Sequence, residues 1–121
     1  EGDEYPALSA ITDENLNKIR ILVLEIHDLR HLRNYSFYKI FKQVFSRLNN
    51  FFYVCHLHIN NVSSIKKIGG YDIPDMLEIT LIHKSRVKKF SNEFAILPNK
   101  LDQRTINNKK EIFIDKKWYI D

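Results

Sequence analysis

The chain has one cysteine, Cys55, only three glycines and only three prolines in 121 residues. A single thiol closes no disulfide within the chain and has no partner for a cysteine-based metal site. With glycine confined to Gly2, Gly69 and Gly70, neither the GxGxxG nor the GxxxxGK spacing can be formed, so no phosphate-cradling loop is readable, and Gly69-Gly70 reads as a turn. No apolar run approaches the ~20 residues that cross a bilayer. The first residues carry no secretory apolar stretch, so a cytoplasmic or membrane-peripheral location is the default expectation. Internal repeats and low-complexity tracts are also missing.

What is present is a globular composition, 44% apolar and 28% charged, enough for one domain with an ordinary core. The net charge of +4 conceals an asymmetry: residues 1–28 hold seven acids against two bases, whereas residues 84–121 hold ten bases against five acids. Two regions follow, an α/β unit over 1–90 and a basic tail over 91–121 packed on or beside it. The chain begins without Met in an acidic turn, Glu1-Gly2-Asp3-Glu4, and this predicts a segment cut from something longer.

The stretch Ile19 to His27 is almost continuously apolar and rich in aliphatic residues, the pattern of a strand buried on both faces. Before it, Glu4–Ala10 reads as a short helix, and Thr12 caps a second turn. After it, Phe37, Phe41, Val44, Phe45 and Leu48 recur at helical spacing, predicting a helix over Tyr35–Leu48 that stops at Asn49-Asn50. Strands follow over 51–59 and 76–83, separated by a loop over 60–73 rich in Asn, Ser and Gly. That connection has no helix, so the last strand is expected to run antiparallel. Ile112–Ile114 reads as a short edge strand or a segment lying on the body, and Trp118 and Tyr119 as docked aromatics.

Polar chemistry gathers where the strands end. Glu25 and His27 close the first, and His56, His58, Asn60 and Asn61 close the second. His27 beside a carboxylate suits a general base. His56 and His58 share a face about 6.6 Å apart, within chelating range, but a third ligand would require the two strands to lie side by side. Histidines in sheets more often satisfy a neighbouring carboxylate, and no bound metal is assigned. Basic-aromatic pieces such as Lys88-Lys89-Phe90 are too short and scattered for a nucleic-acid surface.

Several motifs together resemble a known family. Glu1-Gly2-x-Glu4-Tyr5 resembles the back half of the Asp-x-Glu-Gly-x-Glu motif of FkbM-like S-adenosylmethionine-dependent methyltransferases. The order Leu24-Glu25-Ile26-His27, His56-Leu57-His58-x-Asn60-Asn61 and Gly69-Gly70-Tyr71-x-Ile73-Pro74-x-x-Leu77-Glu78-Ile79-Thr80 is similar to the second half of such enzymes. The late Leu97-Pro98-Asn99-x-Leu101-Asp102 and Asn107-Asn108 are similar to their tail.

The resemblance implies the later half, strands five to seven, of a class I methyltransferase-like open α/β sheet, with an antiparallel last strand inserted between the other two. It implies Glu1 and Gly2 beside the methionine end of S-adenosylmethionine. His27, Glu25 and His58 would be the catalytic residues, and His56, Asn60 and Asn61 would bind a small-molecule or sugar acceptor. The family's glycine-rich first loop and the acid after its second strand are not in this sequence, so weak cofactor binding by this chain alone is expected. An uncovered sheet edge and self-association are expected for the same reason. A non-catalytic α/β binding or assembly module is the alternative reading, and a small metal-dependent hydrolase built on His56 and His58 is a third.

Overall fold

The computed structural model describes residues 2–91 and 96–118. Glu1, assigned to the cofactor, and Tyr119 lie outside the described residues, as does most of the possible helical piece after Ser91.

Two short helices lead in, α1 (Glu4–Ala10) and α2 (Asp13–Lys18). The Thr12 hydroxyl accepts from the Asn15 N–H at 3.3 Å and caps α2, satisfying a donor that the first helical turn leaves free. Strand β1 (Ile21–Ile26) follows, then a 3-10 turn over Leu29–Arg33 and helix α3 (Tyr35–Phe51). The Asn34 carboxamide oxygen caps α3 by accepting from the Phe37 N–H at 3.1 Å.

The helix runs through Asn49-Asn50 instead of stopping there, and the Phe52 N–H still bonds the Leu48 carbonyl. Phe52, 1% exposed in the core, fixes the exit, so packing overrides the weak helix preference of two asparagines.

Strands β2 (Phe52–His58), β3 (Ile65–Ile68), β4 (Tyr71–Pro74) and β5 (Leu77–His83) complete the fold. The main sheet has the order β1-β5-β2, with β5 antiparallel to both neighbours. Strands β1 and β2 are therefore parallel to each other, joined through α3, and separated by β5. The predicted loop over 60–73 contains a hairpin, β3 with β4. Its turn residues Gly69 and Gly70 have φ of 59° and 85°, the doubly positive combination that a two-residue turn matching strand twist requires.

One face of the sheet carries Leu22, Leu24 and Ile26 of β1 and Leu77, Ile79 and Leu81 of β5, which share a single core with Leu8, Leu16, Val44 and Leu48. The other face is different. Ile21 and Val23 are 59% and 69% exposed, which corrects the reading of the first strand as buried on both sides. β1 lies at the sheet edge, and no described element covers its second face, so only alternate residues reach the core. The tail returns past the end of β2, where Ile112 is bridged antiparallel to Ile59. Ile114 is buried, and the Trp118 indole N–H donates to the Asp72 carbonyl at 3.3 Å.

Candidate functional site

His27 sits just beyond the carboxyl end of β1, and α1 holds it on two sides. One carboxylate oxygen of Glu4 accepts from the His27 backbone N–H at 2.8 Å and lies 3.2 Å from Nδ1. The Tyr5 hydroxyl donates to the His27 carbonyl at 2.8 Å. Burial pulls the Glu4 carboxyl upward, but hydrogen bonds from its own N–H and from His27, with the charge of the imidazole, hold it below its ordinary value. An ionised carboxylate only accepts, so Nδ1 carries a proton, and in the neutral form of the ring Nε2 is the acceptor. Burial pushes the Tyr5 phenol up, reinforced by the charges of Glu4, Asp28 and Asp75, so it stays a donor.

Nε2 of His27 lies 3.8 Å from a Glu25 oxygen, and the other Glu25 oxygen accepts from the Asn60 amide at 3.0 Å. The run Glu4, His27, Glu25, Asn60 thus ties the end of β1 to the end of β2. Beside it is a cavity of about 230 Å³ lined by Gly2, His27, Asp28, Arg30, Asp75 and Met76. Arg30 clamps its far wall through Asp28, at 2.9 Å, and Asp75. Asp28 adopts a left-handed φ of 63°, a geometry aspartate tolerates better than most residues.

The second group is sealed. His58 is 3% exposed, with Nδ1 3.0 Å from Glu78 and Nε2 2.9 Å from Glu111. Burial alone would lower its pKa, but the hydrogen bonds to Glu78 and Glu111, with the charges of Asp102 and Glu78, raise it above the ordinary histidine value. His56 is bonded through Nε2 to Asp102 at 2.8 Å. The Asn61 amide donates to the carbonyls of Ile106, at 2.9 Å, and Lys109, at 3.3 Å, and accepts from the Ile106 N–H at 3.0 Å. These three residues, placed by sequence in the catalytic and acceptor set, hold the tail against the sheet.

The structure brings Glu25, His27, Asn60 and Gly2 to one end of the sheet and does not bring Glu25 onto His58. Glu25 is opposite Glu78 across β1 and β5, and Glu78 is opposite His58 across β5 and β2, so a whole strand stands between them. Among the described residues no group of three or more His, Cys, Asp or Glu side chains is arranged to hold a metal ion. Both ring nitrogens of His58 are engaged by carboxylates, so His56 and His58 could chelate only by breaking those bonds.

Sequence reasoning missed Glu4 as a site residue. Its signal was its place in the Glu1-Gly2-x-Glu4 motif, but only the docking of α1 on the end of β1 brings it to His27.

The cavity is smaller than the ~300–1,000 Å³ pockets that enclose a whole small molecule. A larger cleft, about 410 Å³, lies away from this chemistry between α3 and β2, where Phe41, Phe45, Phe52 and Leu81 form its apolar wall.

No family model matches the chain, and neither a curated protein nor a solved structure matches it.

Proposed function

We propose that this chain is the acceptor-side portion of an S-adenosylmethionine-dependent O-methyltransferase acting on a small molecule or sugar. The observation that carries the reading is the strand arrangement: two parallel strands joined through α3 with an antiparallel third between them, the layout the family resemblance implies. His27 is the base. Its Nδ1 proton is held by Glu4, leaving Nε2 to accept a proton from an acceptor hydroxyl in the adjoining cavity. Glu25 and Asn60 position the ring and the acceptor, while His58, His56 and Asn61 act through the tail they hold. The methyl donor would be bound chiefly by residues that precede these in the parent protein.

The test is the parent reading frame. Its upstream region is expected to encode a strand followed by a glycine-rich loop, and its product to transfer labelled methyl to hydroxylic acceptors. His27→Asn should lower kcat by about 10²-fold or more with KM little changed. An upstream region without such a loop, or a product inactive across a broad panel of sugars and small alcohols, overturns the reading. The 121-residue chain itself should bind S-adenosylmethionine weakly or not at all, and micromolar affinity by calorimetry would contradict that. It should also self-associate through the unpaired edge of β1, against which a clean monomer in light scattering would count.

A second reading is favoured by the saturation of His56, His58 and Asn61 by tail residues. On it the chain is a non-catalytic α/β assembly module, and His27→Asn would change stability alone.

A further inference from the structure

Acidic residues are missing from two long stretches of the chain. None occurs from Leu29 to Tyr71 or from Ile79 to Ser91. The first stretch holds α3 and β2, the second the end of β5 and the turn after it. Phe52 is paired with His83, so the two stretches meet on one flank of the domain, along β2 at the edge of the sheet.

Helix α3 divides the charge. Arg47, on the side turned to α1 and α2, pairs with Asp13 and donates to the Ile11 carbonyl. Tyr38 and Lys42 precede it by nine and five residues, which at ~100° per residue puts them on the opposite side of the helix. There they line the apolar cleft of about 410 Å³ together with Val54 of β2. The acid-rich opening segments lie elsewhere, α1 and α2 behind α3 and β1 at the far edge of the sheet.

The flank is aromatic as well as basic. Lys42 Nζ lies 6.0 Å from the centre of the Tyr38 ring, Lys39 5.6 Å from that of Tyr35 and Lys84 5.1 Å from that of Tyr53. The Tyr53 ring meets Phe90 edge-on at 5.0 Å, which brings Lys88-Lys89-Phe90, too short by itself to mark a surface, against β2. Among the described residues none of these five lysines is in an ion pair, and Val54 and Phe90 are 58% and 62% exposed. The acids nearest along the strand, Asp102 and Glu78, are taken by His56 and His58. Free cations interleaved with exposed aromatics around an apolar cleft complement a surface that is anionic above and apolar beneath. A nucleic acid would meet the lysines but has no aliphatic part for a cleft walled by Phe45, Phe52, Val54 and Leu81.

We propose that this flank of the domain rests on a bilayer containing anionic lipid, with the lysines at the headgroup phosphates and Tyr53, Val54, Phe90 and the rim of the cleft at the acyl boundary. The inference does not depend on the methyl-transfer reading, because its readout is binding of this chain to lipid.

The test is co-sedimentation of the full chain at about 0.1 M salt with vesicles of phosphatidylcholine alone or with about 30% phosphatidylserine. Half of the chain should sediment at about 1 mM of the anionic lipid mixture or less, with binding to the neutral vesicles about tenfold or more weaker. Raising the salt to about 0.5 M should remove the difference. Lys42→Gln and Lys84→Gln should each weaken binding about fivefold, and Phe90→Ser about threefold or more, all with an unchanged circular dichroism spectrum. Lys109→Gln and Lys110→Gln remove the same charge from the tail and should change binding by less than about twofold. Equal sedimentation with both lipids, none with either by about 5 mM lipid, or equal weakening by the tail substitutions would overturn the proposal. Binding to single-stranded DNA without binding to vesicles would assign the flank to nucleic acid and overturn it as well.

Discussion

Replacing His58 by Gln tests whether the tail is held by a buried imidazolium. In the native chain that ring lies between Glu78 and Glu111 and is 3% exposed. The substitution leaves two carboxylates with one neutral amide between them. Removing one partner of a buried ion pair costs about 3–5 kcal/mol. The Glu78 side chain is 43% exposed and regains some hydration, so a loss near the lower end, about 3 kcal/mol, is expected. For a chain of this size that is roughly 10 °C in Tm.

The pH dependence distinguishes charge from shape. The pKa of His58 is higher folded than unfolded. Its contribution is therefore complete below about pH 6.5, the unfolded value, and is lost as pH climbs through the folded value. The Tm gap between native chain and His58→Gln should be widest near pH 6 and narrow toward about pH 9. Trp118, the chain's single tryptophan, lies on the tail and supplies a fluorescence signal for its release in the same titration. A gap that stays constant over that range would refute the buried-cation account, and a gap that widens with pH would reverse its sign.

Other consequences can be checked by thermal or denaturant unfolding. Asn61→Ala removes the amide that makes three hydrogen bonds to tail backbone, and should cost about 2–3 kcal/mol with a change in Trp118 emission. Val23→Lys should be tolerated within about 0.5 kcal/mol, as for other exposed sites, whereas a strand buried on both faces would lose several times that. Leu48→Ala should cost about 2–5 kcal/mol, since Leu48 is 3% exposed in the central core and its loss leaves a cavity. Gly70→Val should open the β3-β4 hairpin, because a β-branched residue is strained at a φ of 85°.

The parts legible in the sequence were those set by local rules. The three- and four-residue recurrence from Phe37 to Leu48 marked α3, Thr12 stood where a cap belongs, and Leu77 to His83 alternates as a strand should. The apolar run at Ile19 misled because a run of aliphatics says nothing about how many layers cover it; Ile21 and Val23 are aliphatic and open to water. The turn glycines were recognised, but the four-residue strands beside them are too short and too charged, as at Lys66-Lys67, to register as a pattern.

The candidate site divided in the same way. Glu25 and His27 are two residues apart at the end of β1, and their neighbourhood could be read directly. Glu4, which orients His27, and Glu111, which closes over His58, approach from far along the chain, and no spacing rule reaches them. The register shift between Val54 and His56 likewise belongs to the pairing with β5 and leaves no mark in composition.

The middle strand of the main sheet is the last of its three to be synthesised. Until Leu77–His83 leaves the ribosome, β1 and β2 have no hydrogen-bonding partner in each other, and Ile26 has to wait for Leu77. A nascent chain ending before that point would display two unmatched apolar ribbons, the species for which a chaperone has most use. Assembly of this domain is therefore expected to be a late, single closing event rather than a stepwise accretion from the amino end.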